Sequence, residues 1–294
     1  MHAHGIERRR QRGESMHQGL SLFAVLILSI ALSPLQASED PVGIVNAIRS
    51  TGCKDYAGVG AALRRLEKLN DAAEYLARGD TLEQATAAAG YRIKTAASIR
   101  IRTDQGDERI AELLAAHFCD DVANPVFEEI GVFRRGDETW MVLAEPFAPP
   151  RPQEMSAVAR RVLDLVNEAR SRSRRCGRDG FLATTPLAIS ATLERAALAH
   201  AKDMAAGDFI GHRGSDGSTP DVRADRVGYL WLSIGENVAA GQTDAEEVVR
   251  GWLDSPSHCS TLMDPRYTES GIAYALNPHS EHGIYWAQAF GRPR

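Results

Sequence analysis

Two stretches of this chain carry related residues in the same order, and each holds one early and one late cysteine. Asn46-Ala-Ile-Arg49 corresponds to Asn167-Glu-Ala-Arg170, Cys53 to Cys176, Ala72-Ala73 to Ala196-Ala197 and Gly90-Tyr91 to Gly228-Tyr229. Further on, CDDVANPVFEEIG (119–131) lies on CSTLMDPRYTESG (259–271) without a gap, and Trp140 falls opposite Trp286. The offset between matched positions rises through 121, 123, 124, 138, 140 and 146 and never falls, which is the pattern of a duplicated unit with insertions in its second copy. The segment FAPPRPQEM (147–155), rich in proline and without hydrophobic periodicity, separates the copies. The expected domains are therefore 38–149 and 150–294.

The cysteines fit an exported protein. Arg8, Arg9, Arg10 and Arg12 precede an almost wholly apolar run, Leu20 to Leu32, and then Ala37 at a cleavage point. That is the pattern of a secretory signal over residues 1–37, whether translation starts at Met1 or Met16. The 13-residue run is shorter than the ~20 residues a membrane span needs, so no transmembrane anchor is expected after cleavage, and no cysteine follows it as in a lipoprotein. The expected location is secreted, periplasmic or otherwise extracytoplasmic. There, four cysteines without a Cys-x-x-Cys read as two disulfides. Four cysteines allow three connectivities, and the duplication selects Cys53 with Cys119 and Cys176 with Cys259. Each link contributes about 4 kcal/mol by the chain-entropy estimate. The net charge of −5, with no basic stripe, gives no support to a nucleic-acid partner.

Local patterns predict an α+β domain. Val158, Val162, Leu165, Val166 and Ala169 share one helical face, as do Leu193, Ala196, Ala197, His200 and Met204. Thr243 and Glu246 have capping-box spacing before a helix that buries Val248, Val249, Trp252 and Leu253 and stops at Ser255-Pro256. ESGIAYAL and GIYWAQAFG read as two strands joined near NPHSEHG. Helices and antiparallel strands in this order form layers.

Candidate chemistry is confined to the second copy. His212 lies in the loop DFIGHRGSDGSTP, Glu236 in a Gly-Glu-Asn turn that Asn237 helps shape, His258 just past a helix end, and Glu269 at the start of a strand. Two imidazoles and two carboxylates on separate segments suit either a borderline cation such as zinc, held by His212 and His258, or a general acid/base pair.

The helix LERAALAHAKDMA, the segment FIGHRGSDGSTP, the Gly-Glu-Asn motif, WLDSPSHC, TESGIAYA and YWAQAFG together resemble the bacterial branch of the CAP superfamily (cysteine-rich secretory proteins, antigen 5 and pathogenesis-related proteins, or SCP domains) over residues 157–292. The resemblance implies a three-layer α-β-α sandwich with a central cleft. It also implies that His212, Glu236, His258 and Glu269 are the tetrad lining that cleft, which in some members holds zinc or another divalent ion. The first copy has Phe118 where His258 falls and Ser98 where Glu236 falls, lacks the His212 loop, and keeps only Glu129 opposite Glu269. It reads as a degenerate CAP-like domain that has lost the site, the alternative being an unrelated helical domain.

Each residue also has a plainer role. His200, on an apolar helix face, reads as a core histidine bonded to backbone. Glu236 and Glu269 can act as carboxylates orienting the imidazoles. Ser255 reads as a helix stop rather than a nucleophile, the loop GSDGSTP as an ordinary exposed turn, and His279 and His282 as solvated loop residues. The leading expectation is a secreted CAP-domain protein, not an assigned enzyme, that binds a small molecule, lipid, glycan or envelope component in the cleft, with or without a divalent metal. Two rivals stand beside it: a metal-dependent hydrolase with Glu236 or Glu269 as general base, and a structural or interaction module of the cell envelope.

Overall fold

Asp40 accepts from the Val42 amide and Pro41 occupies the first helical position, which together open helix α1 (Pro41–Thr51). A computed structural model describes residues 40–294, and the expected signal segment 1–37 lies outside the described residues. After α1 come β1 (Arg64–Arg65), α2 (Glu67–Arg78), α3 (Leu82–Ala88), β2 (Ile93–Arg102), α4 (Gly106–His117), α5 (Cys119–Val122), β3 (Glu129–Arg135) and β4 (Glu138–Pro146). A 3-10 turn then leads into α6 (Met155–Arg170), β5 (Arg174–Cys176), β6 (Asp179–Phe181), β7 (Ala188–Ile189), α7 (Ala191–Gly207), α8 (Pro220–Arg226), β8 (Trp231–Ala240), α9 (Ala245–Asp254), α10 (Pro256–Met263), β9 (Glu269–Leu276) and β10 (Ile284–Pro293).

Each half is a sheet with helices on both faces. The strand orders are β1-β3-β4-β2 and β7-β9-β10-β8, and in each sheet the short first strand is parallel to its neighbour while the other pairs are antiparallel. Alternation along the central strands sends successive side chains to opposite layers. In β4, Met141 and Leu143 join α1 and α4, whereas Trp140, Val142 and Ala144 join α2 and α3. In β9, Ile272 and Tyr274 face α6, α9 and α10, whereas Ala273 and Ala275 face α7. The expected helix faces are found: Leu193, Ala196, Ala197, His200 and Met204 are buried on α7, and Val162, Val166 and Ala169 on α6. Small residues allow close layer contact. A Cβ on Gly271 would strike the Leu193–Glu194 backbone of α7, and one on Gly131 the Leu69–Asn70 backbone of α2.

Both expected disulfides are present, Cys53–Cys119 and Cys176–Cys259. The end of each first helix is held by a buried arginine. Arg170 donates to the carbonyls of Thr185 (2.9 Å), Leu262 (2.7 Å), Asp264 (3.1 Å) and Tyr267 (3.1 Å). Arg49 does the same for Ala61, Val122, Asn124 and Phe127. Burial lowers the Arg170 pKa to about 10, which leaves it cationic at neutral pH. Asn167 exchanges hydrogen bonds with the Leu187 backbone, and Asn46 with that of Leu63.

Two local expectations need correction. The cap of α9 is Asp244, which accepts from the Glu247 amide (2.7 Å), while the Glu247 carboxylate reaches back to the Thr243 amide (2.9 Å). The helix therefore opens one residue later than the Thr243/Glu246 spacing suggests. Trp140 does not correspond to Trp286. Leu143 pairs with Ile130 and Phe290 with Ser270, so the register that aligns Ile130 with Ser270 sets Trp140 against Ala287. A one-residue slip reverses the face: Trp140 packs toward α2 and α3, and Trp286 toward α6 and α9.

Arg170→Met is expected to lower stability by about 3 kcal/mol or more, because each buried carbonyl left without a donor costs about 1–3 kcal/mol. Urea unfolding of the purified protein measures this, and a loss below about 1 kcal/mol would show that the arginine is dispensable.

Candidate functional site

The loop carrying His212 is built from beneath by α7. The helix ends at Gly207, with Asp208 in the left-handed region (φ 50°). His200, fully buried, bonds through Nε2 to the Gly211 carbonyl (2.7 Å). Desolvation lowers its pKa and so favours the neutral ring, and the contact to a carbonyl makes Nε2 the donor. Asp203, one turn on, accepts from the Ser215 amide (2.8 Å) and hydroxyl (2.5 Å), while Asp216 accepts from the Ser218 amide (2.9 Å) and Arg226 (2.5 Å). GSDGSTP is thus a tied turn, and His200 has the structural role its helix face suggests.

Glu236 occupies the middle of strand β8, opposite Ala289, rather than a turn. The glycine and asparagine around it look like turn residues because their reasons for being there are tertiary. A Cβ on Gly235 would strike the Tyr267 hydroxyl, and Asn237, fully buried, donates to the His258 carbonyl (3.2 Å). The Glu236 side chain is 3% exposed and is shared between His212 Nδ1 (3.0 Å) and Arg223 Nη2 (2.7 Å). Arg223 also donates to the carbonyls of Ser218 and His212. The His212 ring stays 55% exposed, and its hydrogen bond to Glu236 raises its pKa.

His258 lies inside α10, in its first turn, not beyond a helix end. Pro256 restarts the chain as a helix at once, and Ser255 bonds through Oγ to His258 Nδ1 (2.9 Å). Desolvation and then the charge of nearby His212 lower the His258 pKa. The two imidazoles are thereby driven apart in proton affinity, the condition for one to hold a proton while its neighbour is neutral.

Glu269 begins β9 opposite Gly291, and accepts from the Tyr229 hydroxyl (3.0 Å). Ala289 is the register partner of both Glu236 and Gly271, so Glu236 and Glu269 project from the same sheet face. They are two strands apart and two residues out of step, about 12 Å between backbones from ordinary strand spacing. His212 and Glu236 are thus joined directly, His258 lies close enough for the charge of His212 to act on it, and Glu269 stands apart with Tyr229. Zinc sites use three or four protein donors, and among the described residues no three His, Cys, Asp or Glu side chains are grouped to hold an ion. Glu236 is already matched by Arg223, so the donor set does not fit a resident zinc.

Arg223 and Tyr229 were not singled out as site residues from the sequence. Tyr229 had a signal, since the sequence matches Gly228-Tyr229 with Gly90-Tyr91, and in the structure Tyr91 likewise donates to a glutamate, Glu129. Arg223 had none, because an arginine in a helix of exposed charges looks solvated.

With this geometry in hand, residues 163–290 match the family described as the cysteine-rich secretory protein family, CAP. The chain is 30% identical over 139 residues to the uncharacterized protein YkwD of Bacillus subtilis (strain 168), spanning 47% of this chain and about half (49%) of that relative. Among solved structures, the crystal structure of Na-ASP-1 is 10% identical, covers 85% of this chain and 87% of its own, and superimposes with a TM-score of 0.50. An extracellular protein containing an SCP domain from Bacillus anthracis str. Ames is 16% identical, with coverage of 66% and 77% and a TM-score of 0.41. The family resemblance of the second half is supported, and the likeness to Na-ASP-1 extends the fold comparison over both halves.

NMR titration of the imidazole signals is expected to give His212 a pKa above the ordinary ~6.5 and His258 one below it, with Glu236→Gln lowering the His212 value. By linkage, His212 contributes stability that is complete below about pH 6.5 and lost as pH rises through its raised pKa. His258 contributes the reverse, stability present above about pH 6.5 and lost as pH falls through its depressed pKa. The opposite order of titration would refute the assignment.

Proposed function

We propose that this chain is an exported CAP-type protein that binds a ligand in the cleft of its second half, with His212, Glu236, His258 and Glu269 as the ligand-facing tetrad and Arg223 holding Glu236 in place. The observation that carries this reading is the Arg223–Glu236–His212 network. A nearly fully buried ion pair holds one end of an imidazole whose ring is more than half exposed. Such an arrangement orients a side chain toward solvent without using it internally.

The first half supports the reading by contrast. We take it as a degenerate copy, since its sheet order, buried arginine, disulfide and Tyr91–Glu129 contact parallel those of the second half. Ser98 and Phe118 stand at the positions of Glu236 and His258, and Glu129 is closed off by an ion pair to Arg64. Position 188, the counterpart of Arg64, is alanine, which leaves Glu269 with Tyr229 as its hydrogen-bond partner.

Export is supported by the two disulfides, which persist in oxidising compartments. No helix among the described residues is long and apolar enough to cross a membrane. The ligand class stays as broad as the sequence leaves it: a small molecule, lipid, glycan or envelope component. A divalent ion at His212 and His258 would need water or ligand atoms to complete its shell, and a hydrolase reading has no observation that favours it over binding.

The test uses labelled protein with three probes in turn: soluble peptidoglycan fragments, a short-chain phospholipid and zinc chloride. At least one is expected to shift the His212 and His258 ring signals together, with affinity falling at least tenfold in His212→Ala/His258→Ala while the melting temperature moves by only a few degrees. Silence to all three, or full binding by the double variant, would overturn the proposal.

A further inference from the structure

Leu230 and Leu232 are 72% and 59% exposed, although Trp231 between them packs on the core and donates its indole N–H to Asp225 (2.9 Å). Leu230 just precedes β8, and Leu232 lies at a β-bulge in the first residues of that strand. Trp231 pairs with Pro293 and Ser233 with Arg292, so Leu232 has no partner and is turned outward. β8 is the last strand of its sheet, and among the described residues no further strand covers that edge. The same pairing brings two arginines beside the leucines. Arg294 donates its amide to the Leu230 carbonyl (3.1 Å) and its Nε to the Trp231 carbonyl (2.9 Å), and residues 292–294 are all exposed. Among the described residues, neither Arg292 nor Arg294 forms an ion pair with a carboxylate, whereas Asp225, the nearby acid, is engaged by Trp231.

We propose that this edge docks on an anionic phospholipid bilayer, with Leu230 and Leu232 entering the acyl boundary and Arg292 and Arg294 on the lipid phosphates. Charge complementarity selects this occupant: in an acidic protein of net charge −5, two exposed guanidinium groups that have no carboxylate partner among the described residues stand where aliphatic side chains are exposed. Size points the same way. Two protruding leucines fall far short of the ~800 Å² per partner that a stable protein interface buries, but suit reversible insertion, where each aliphatic group and each basic residue adds to a modest affinity. The surface lies beside the cleft on β8 and uses none of the tetrad residues.

Co-sedimentation of the protein with vesicles of phosphatidylcholine and phosphatidylglycerol (1:1), and with phosphatidylcholine alone, tests this. Binding is expected to the anionic vesicles only, falling at least fivefold in Leu230→Ser/Leu232→Ser and in Arg292→Gln/Arg294→Gln, and weakening in 0.5 M salt. Val126→Ser, an exposed apolar position (43%) in the first half, should bind as the parent does. Since all altered side chains are exposed, circular dichroism melting should be unchanged. Absence of binding to anionic vesicles, equal binding to neutral ones, undiminished binding by either double variant, or an equal loss in Val126→Ser would each overturn the proposal.

Discussion

The end of each first helix has to be joined to the loop that follows α5 or α10, and in both halves a single buried guanidinium makes the joint. Arg49 and Arg170 each satisfy four carbonyls that have no strand or helix partner for that purpose. Five fixed N–H donors in one plane are what this requires, and a lysine ammonium on a flexible stem cannot reproduce it. The chain running from Cys259 through Tyr267 to Glu269 is thereby fixed to α6, and β9 enters the sheet in the register that sets where Glu269 stands. The disulfide constrains the same loop covalently; the arginine specifies its path.

On that frame the two halves divide stability and chemistry differently. The first half uses its buried carboxylate internally, Glu129 being bonded to Tyr91 and paired with Arg64. The second half places an Arg–Glu pair below an exposed imidazole, and among the described residues Glu269 has no guanidinium partner. Similar sheets therefore carry a closed polar cluster in one half and a more than half-exposed imidazole in the other, with arginine at position 64 and alanine at position 188 beside the respective carboxylates.

The halves are also tied together. The Arg92 guanidinium, at the entrance to β2, donates to the carbonyls of Pro278, Ser280 and Glu281 in the β9–β10 loop and lies 4.3 Å from the Phe147 ring centroid. Lys94 bridges Glu145 and Glu247. The segment that reads as a linker from its prolines thus runs beside polar contacts that join the two units.

Much of the scaffold was legible in the sequence. Cysteine pairing followed from the matched order of residues in the two halves, and the buried faces of α6 and α7 and the extent of β9 followed from periodicity, because helix and strand faces depend on residues near one another in the chain. Tertiary structure decided the rest. A Gly-Glu-Asn run becomes mid-strand because Tyr267 needs the space above Gly235; His258 becomes helical because Pro256 can start a helix as well as end one. Arg223 meets Glu236 only when α8 packs on β8, and a bulge beside Pro293 turns Leu232 outward. Pattern along the chain determined which faces are buried, whereas the pairing of charges and the direction of exposed groups depended on contacts between elements, which local sequence does not encode.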